Sequence, residues 1–100
     1  MIYVKVNDRL FPASIQGRTA DYEWDGRHSK AITLDEPYEA VNALFPDGAA
    51  WSIVTEEEEF DNSDFCIRGD LTVHTGGKCT VKMGKPTDLE IAYEMLFGGM

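Results

Sequence analysis

The stretch FCIRGDLTVHTGGKCTVKMG, residues 65–84, decides the fold of this chain. Phe65, Ile67, Leu71 and Val73 are the apolar members of its first half, and Cys79, Val81 and Met83 those of its second, all at odd positions on either side of Gly76-Gly77. A strand sends alternate side chains to opposite faces, so this is the pattern of a two-stranded ribbon with one oily side. Parity then sets the loop. A two-residue Gly76-Gly77 turn would pair Val73 with Thr80 and place the apolar rows on opposite faces, which is costly when one face is buried. A three-residue loop, Gly76 to Lys78, pairs Thr75 with Cys79, Val73 with Val81 and Leu71 with Met83, and offers a glycine for the left-handed position. Arg68, Asp70, Thr72, His74, Thr80 and Lys82 then form a wet outer face, and Gly69 reads as a bulge.

Beyond the ribbon, Thr87 as N-cap and Glu90 three residues on make a capping box. Leu89, Ala92, Tyr93 and Leu96 supply an apolar stripe and Gly98-Gly99 a stop, which predicts a helix over about 88–97. The chain opens on a second ribbon. Ile2, Val4 and Val6 alternate up to Asn7-Asp8, and a two-residue turn there pairs Val6 with Arg9, Val4 with Phe11 and Ile2 with Ala13. Pro12 donates no ladder bond, so it belongs at an edge or at a non-bonded position. Further on, Ala20, Tyr22 and Trp24 lead to the turn Asp25-Gly26, and Ala31 to Leu34 forms the returning strand. Asp35, Glu36 and Pro37 give a capping acid, early negative charge and a first-turn proline to a helix over about 37–45, with Tyr38, Val41, Leu44 and Phe45 at helical spacing. Trp51 to Val54 follows as a buried strand. The expected class is α+β, with antiparallel β-hairpins forming a sheet or partly open barrel and two short helices, all in a single domain over residues 1–100.

A content of 43% hydrophobic and 11% aromatic residues is that of a folded chain. The net charge of -9 disfavours direct binding to nucleic acid, whose affinity comes from lysine and arginine displacing counterions, and equally disfavours anionic membrane surfaces. Met1 to Val6 reads as a strand rather than a secretory leader, and no window is apolar enough to span a membrane, so a cytoplasmic location is expected. Cys66 and Cys79 fall on opposite faces of the ribbon and are expected to be reduced, structural thiols.

Glu56, Glu57, Glu58, Glu59, Asp61 and Asp64 place six acids within nine residues without a base among them. Like charges this close repel, so the segment reads as a solvated loop or ragged strand end, and as a candidate acidic loop for a basic partner. Calcium through Asp61, Ser63 and Asp64 is a poor match, because the sixth and twelfth loop positions are Cys66 and Thr72 rather than glycine and glutamate. Arg68-Gly69-Asp70 lies in a strand, not in an exposed loop. Gly84-Lys85-Pro86-Thr87 lacks the upstream glycine of a phosphate loop. His28 and His74 have no nucleophile and orienting acid at a recognisable spacing. Tyr22, Trp24 and Trp51 read first as core anchors and second as an aromatic interface. No catalytic residue, metal site or cofactor is expected.

The phrases RHSKAITL (27–34), WSIV (51–54), FDNSDF (60–65) and VKMGKPT (81–87) resemble a group of small uncharacterised proteins encoded in prophages of gut Gram-positive bacteria. The likeness extends over residues 1–18, 27–34, 50–54 and 61–96, most of the chain. Genes of this group tend to lie beside those for phage structural and tail proteins, so the resemblance implies an accessory or assembly role in the host cytoplasm or on the virion. Members vary most between the WSIV strand and the DNSD turn, where this chain carries its glutamates. The group brings no catalytic residues.

The expectation is therefore a non-enzymatic interaction or assembly protein that works through sheet edges and the acidic loop, meeting a protein partner or further copies of itself. The alternative is an acidic inhibitor that imitates nucleic acid against a host defence enzyme. A single stripe joining Glu56–Asp64 to Asp21, Glu23, Asp25 and Asp88 would favour mimicry; scattered acids would favour assembly. An enzyme would need a deep pocket around His74 or Cys66.

Overall fold

A computed structural model describes residues 1–17, 23–24 and 26–98 of the chain. In order, the elements are β1 (Tyr3–Val6), β2 (Arg9–Gln16), β3 (Glu23–Trp24), β4 (Arg27–Leu34), α1 (Tyr38–Leu44), β5 (Trp51–Val54), β6 (Glu59–Asp61), β7 (Ile67–Val73), β8 (Cys79–Gly84) and α2 (Asp88–Tyr93), the last continued by a π-helical turn (Glu94–Gly98). The strands form one open antiparallel sheet in the order β6-β5-β1-β2-β4-β8-β7, with β3 pairing β4. This is the α+β class that the hydrophobic pattern predicts.

The opening ribbon follows from its turn. Asn7 and Asp8 have φ of 53° and 63°, the left-handed pair that a two-residue hairpin of matching twist requires. Val6 accordingly pairs with Arg9 and Val4 with Phe11, and the Ala13 N–H donates to the Ile2 carbonyl at 3.0 Å, as predicted. Since antiparallel pairs alternate between bonded and non-bonded, the Tyr3–Pro12 pair is a non-bonded one. Pairing of β2 with β4 begins only at Ala13, so the missing N–H of Pro12 leaves no gap on either side. β2 is thus an interior strand whose first half serves β1 and second half β4.

The faces of both wings meet in one buried cluster. Val4, Val6, Phe11, Trp51 and Ile53 come from one wing, Ile32, Leu34, Cys79, Val81 and Met83 from the other, and Val41, Leu44 and Phe45 from α1 and its end. The Trp51 ring meets Phe45 edge-on at 5.8 Å, and its indole N–H donates to the Phe65 carbonyl at 2.9 Å, so a large apolar side chain is buried with its one polar atom satisfied.

Several local expectations need correction. In the β7–β8 ribbon Val73 pairs with Cys79 and Leu71 with Val81, and the His74 N–H donates to the Lys78 carbonyl at 2.8 Å, so the loop has the predicted three residues but is 75–77 rather than Gly76–Lys78. The cause is a β-turn closed by the Gly77 N–H on the His74 carbonyl at 3.0 Å, with Gly76 at φ 101° in the position that demands a positive angle. A shift of two in the sum of paired residues keeps parity, so Leu71, Val81 and Cys79 still face the same way. Gly69 and Asp70 together oppose Lys82, which is the expected bulge. It flips the strand end that precedes it. Arg68 therefore lies opposite the buried Met83 rather than on the outer face, and its guanidinium donates to the Phe45 carbonyl at 3.1 Å, just past the end of α1. β4 starts at Arg27, not at Ala31. α1 runs from Tyr38 to Leu44 with Pro37 at its N-cap and no side-chain cap, so Asp35 is not the capping acid. The largest departure concerns α2. Its capping box is present, but Leu89, Ala92, Tyr93 and Leu96 are exposed, and none of the residues in the helix is buried.

Candidate functional site

α2 is held to the body by a polar clamp. Thr87 Oγ1 accepts the Glu90 N–H at 3.2 Å while Glu90 Oε1 accepts the Thr87 N–H at 2.9 Å, closing the first turn. Arg27, the first residue of β4, sends its guanidinium to both oxygens of the same carboxylate at 2.6 and 2.9 Å and to the Lys85 carbonyl at 3.3 Å. Gly84 makes this reach possible, because a Cβ there would collide with Arg27 Cδ and come within 3.1 Å of Arg27 Cγ and Ser29 Oγ. The Arg27 fork, with the Thr87 N–H behind it, holds the Glu90 carboxyl down at about 2 from an ordinary 4.5.

The clamp decides which way the helix faces. It grips α2 by a polar residue and none of the residues 88–96 is buried, so the apolar stripe that an amphipathic helix ordinarily buries is left exposed with the rest of the helix. Leu89 and Met95 are each 81% exposed, Leu96 69%, Tyr93 64% and Ile91 47%. Leu89, Tyr93 and Leu96 share one side of the helix, and Ile91 and Met95 lie on the other. The sequence announces the helix and its cap. It carries no signal for this orientation, which depends on an arginine 63 residues away.

The acidic run divides along the hairpin. Thr55 closes the β5–β6 turn by donating to the Glu58 carbonyl at 2.8 Å and accepting the Glu57 and Glu58 N–H groups on its hydroxyl at 3.3 and 3.1 Å. Glu59 and Asp61 then stand on β6, which among the described residues pairs with β5 alone. Charge along a sheet edge discourages strand addition by a like-charged copy. Glu56 lies 3.1 Å from the Met1 ammonium, Glu59 3.5 Å from Lys5 and Asp64 3.5 Å from Lys85. Exposed pairs of this kind are worth only ~0–1 kcal/mol. Asp61 accepts the Ser63 hydroxyl at 2.5 Å and the Ser63 N–H at 3.0 Å, which together lower its carboxyl below the usual range.

Asn62, which the sequence reading passes over, is the polar hub of this corner. It is buried, its side-chain oxygen accepts from Lys30 Nζ, its amide donates to the Phe60 carbonyl at 3.0 Å, and its backbone bonds the Trp51 carbonyl and the Phe65 N–H at 2.8 and 2.9 Å. The sequence hint is its place in the turn-forming run Asp61-Asn62-Ser63-Asp64.

Of the aromatic candidates, Trp51 is a core side chain, 2% exposed. Tyr22 and the Trp24 side chain lie outside the described residues, as do Asp21 and Asp25. His74 Nε2 is 2.6 Å from Thr80 Oγ1, which in turn lies 2.7 Å from Thr33 Oγ1, all on the outer face of the sheet beside a shallow groove of about 490 Å³. Cys66 is half-buried and Cys79 buried, both as free thiols. Among the described residues no three His, Cys, Asp or Glu side chains are grouped to hold a metal ion. None of the described helices is long and apolar enough to cross a membrane. Comparisons with protein-family models, with curated proteins and with solved structures find no match for the chain.

Proposed function

We propose that this chain is a non-enzymatic interaction or assembly protein of prophage origin, and that α2 is the centre of its contact surface. The observation that carries this reading is the group of exposed apolar side chains on α2, a helix held to the sheet by Thr87, Glu90 and Arg27. A side chain ordered before contact loses less entropy on binding, so a clamped helix is a better presenting element than a frayed one. The acidic β6 edge belongs to the same reading as a flank that repels further copies and attracts basic partners. Mimicry of nucleic acid draws less support, because Glu56, Glu59 and Asp64 each stand against a cation.

The test is photocrosslinking in the producing cell with p-benzoylphenylalanine in place of Tyr93, and in place of Asn42 on the exposed side of α1 as a control. A discrete adduct from position 93 and none from position 42 is expected. Absence of any adduct from position 93 would overturn the reading.

A further inference from the structure

We propose that two copies of this chain pair antiparallel through the second half of β7, with Thr72 on the two-fold axis, to make one continuous sheet. β7 ends the strand order, and among the described residues it pairs with β8 alone. The His74 N–H donates to the Lys78 carbonyl, so by the alternation of an antiparallel ladder Thr72 is bonded to Thr80, while Leu71 and Val73 sit in non-bonded pairs. The backbone groups of Leu71 and Val73 therefore point away from β8, along the free edge. Beside them the Val73 side chain is 56% exposed. The open stretch is short and bounded. At its start the Asp47 carboxylate covers the Arg68 N–H at 2.7 Å, ahead of the Gly69-Asp70 bulge, and at its end the chain turns back in the 75–77 loop.

An open edge is a template for another strand, and β7 itself fits this one. Parity restricts a two-fold pair to registers that oppose outward-pointing residues to each other. Centring on Thr72 sets Leu71 against Val73 of the second copy, so that each such pair exchanges both backbone bonds and the exposed valine is covered by a leucine. The same register sets Asp70 opposite His74, twice, on the outer face. Asp70 makes no ion pair among the described residues. His74 Nε2 is engaged by the Thr80 hydroxyl at 2.6 Å, and in the tautomer that accepts that proton Nδ1 carries the hydrogen a carboxylate takes. Moving the centre spoils both matches. Around Leu71, Val73 would meet Gly69 and Asp70 would meet Thr72; around Val73, Leu71 would meet Thr75 and Asp70 would meet Gly76. The chosen register also stops where the edge does, because past His74 the second copy leaves through its own 75–77 loop, short of the covered Arg68. The net charge of -9 opposes association in general, but exposed charges more than about 8 Å apart are largely screened at physiological salt.

This contact does not use α2, so it goes beyond the reading above. Sedimentation equilibrium of the full chain should show a reversible dimer. Its register is read in a Cys66→Ser background, Cys79 being fully buried, by comparing Thr72→Cys with Val73→Cys under mild oxidation. Residues on the axis lie about 4.5 Å apart between Cα atoms, within disulfide reach, whereas the two copies of residue 73 are diagonal neighbours at about 7–8 Å. Crosslinking at 72 should be about tenfold faster than at 73. Val73→Pro removes only an outward N–H, so the fold should survive, as circular dichroism would verify, and the dimer should weaken about tenfold. Asp70→Lys makes the chain less acidic, so bulk repulsion would fall and strengthen the dimer, whereas the proposal requires it to weaken. Adding His74→Asp to Asp70→Lys should restore it. A monomer at every concentration, equal crosslinking at 72 and 73, or a dimer indifferent to Val73→Pro or to Asp70→Lys overturns the proposal. Any of these results beside a crosslink from position 93 would remove the β7 contact and leave the α2 reading standing; the dimer without that crosslink does the reverse.

Discussion

The guanidinium of Arg27 and the carboxylate of Glu90 form a two-pronged fork, 2.6 and 2.9 Å long, between the first residue of β4 and the first turn of α2. This paired geometry fixes direction as well as distance. It ties the helix to the sheet by a polar residue and so leaves its apolar residues outside. A six-residue helix is too short to persist alone, so the fork and the capping box together carry its order.

Acid should release α2 before it unfolds the sheet. The Glu90 carboxyl sits at about 2 against an ordinary 4.5, a depressed acid, so its contribution is complete above 4.5 and is lost as the pH falls through that interval toward 2. Cα chemical shifts of residues 88–93 should therefore move toward coil values across this window while those of β4 and β8 hold. Glu90→Gln should show the frayed shifts at neutral pH. Helical shifts unchanged down to pH 2 would refute the clamp.

Gly84→Ala should cost about 1–3 kcal/mol, the range for forcing an extra methyl group into filled space. The added Cβ meets the stem of Arg27, so the cost should shrink when Arg27→Ala is present as well. Residues in contact behave non-additively. Urea unfolding of the two single variants and the double variant measures the coupling, and simple additivity would show that Arg27 does not lie across Gly84.

Asn62→Ala should destabilise the fold by about 1–3 kcal/mol, because it strips the acceptor of Lys30 and the donor to Phe60 from a buried corner. The loss should appear as a lower urea midpoint with an unchanged slope. A neutral result would mean that the corner is wet enough to replace both bonds.

Asp8→Gly should stabilise the opening ribbon by about 0.5 kcal/mol. Asp8 stands at φ 63°, where a side chain is strained and glycine is not, and the relief outweighs the extra freedom of glycine in the unfolded chain. Thermal unfolding would register a small rise in Tm; a fall would mean that the aspartate contributes more than its strain costs.

Much of the fold was legible because the signals are local. The Val4–Phe11 pairing follows from the Asn7-Asp8 turn, and the Thr87–Glu90 box from two residues one helical turn apart. Where the reading slipped, a neighbouring detail intervened. The β7–β8 register moved because the three-residue loop sits at 75–77, with Gly76 and Gly77 both at positive φ, and Arg68 changed face because the Gly69-Asp70 bulge inverts alternation before it. Trp51 satisfied two readings until the Phe65 carbonyl and the Phe45 ring were brought to it from other elements.

Residue order alone thus settles the α+β class, the opening ribbon and its register, and where α2 begins, since alternation and capping act within a few residues. The exposure of α2, and with it the candidate contact surface, belongs to the folded molecule. It depends on Arg27 passing over Gly84 to reach Glu90, a contact between residues 63 apart that no local pattern encodes.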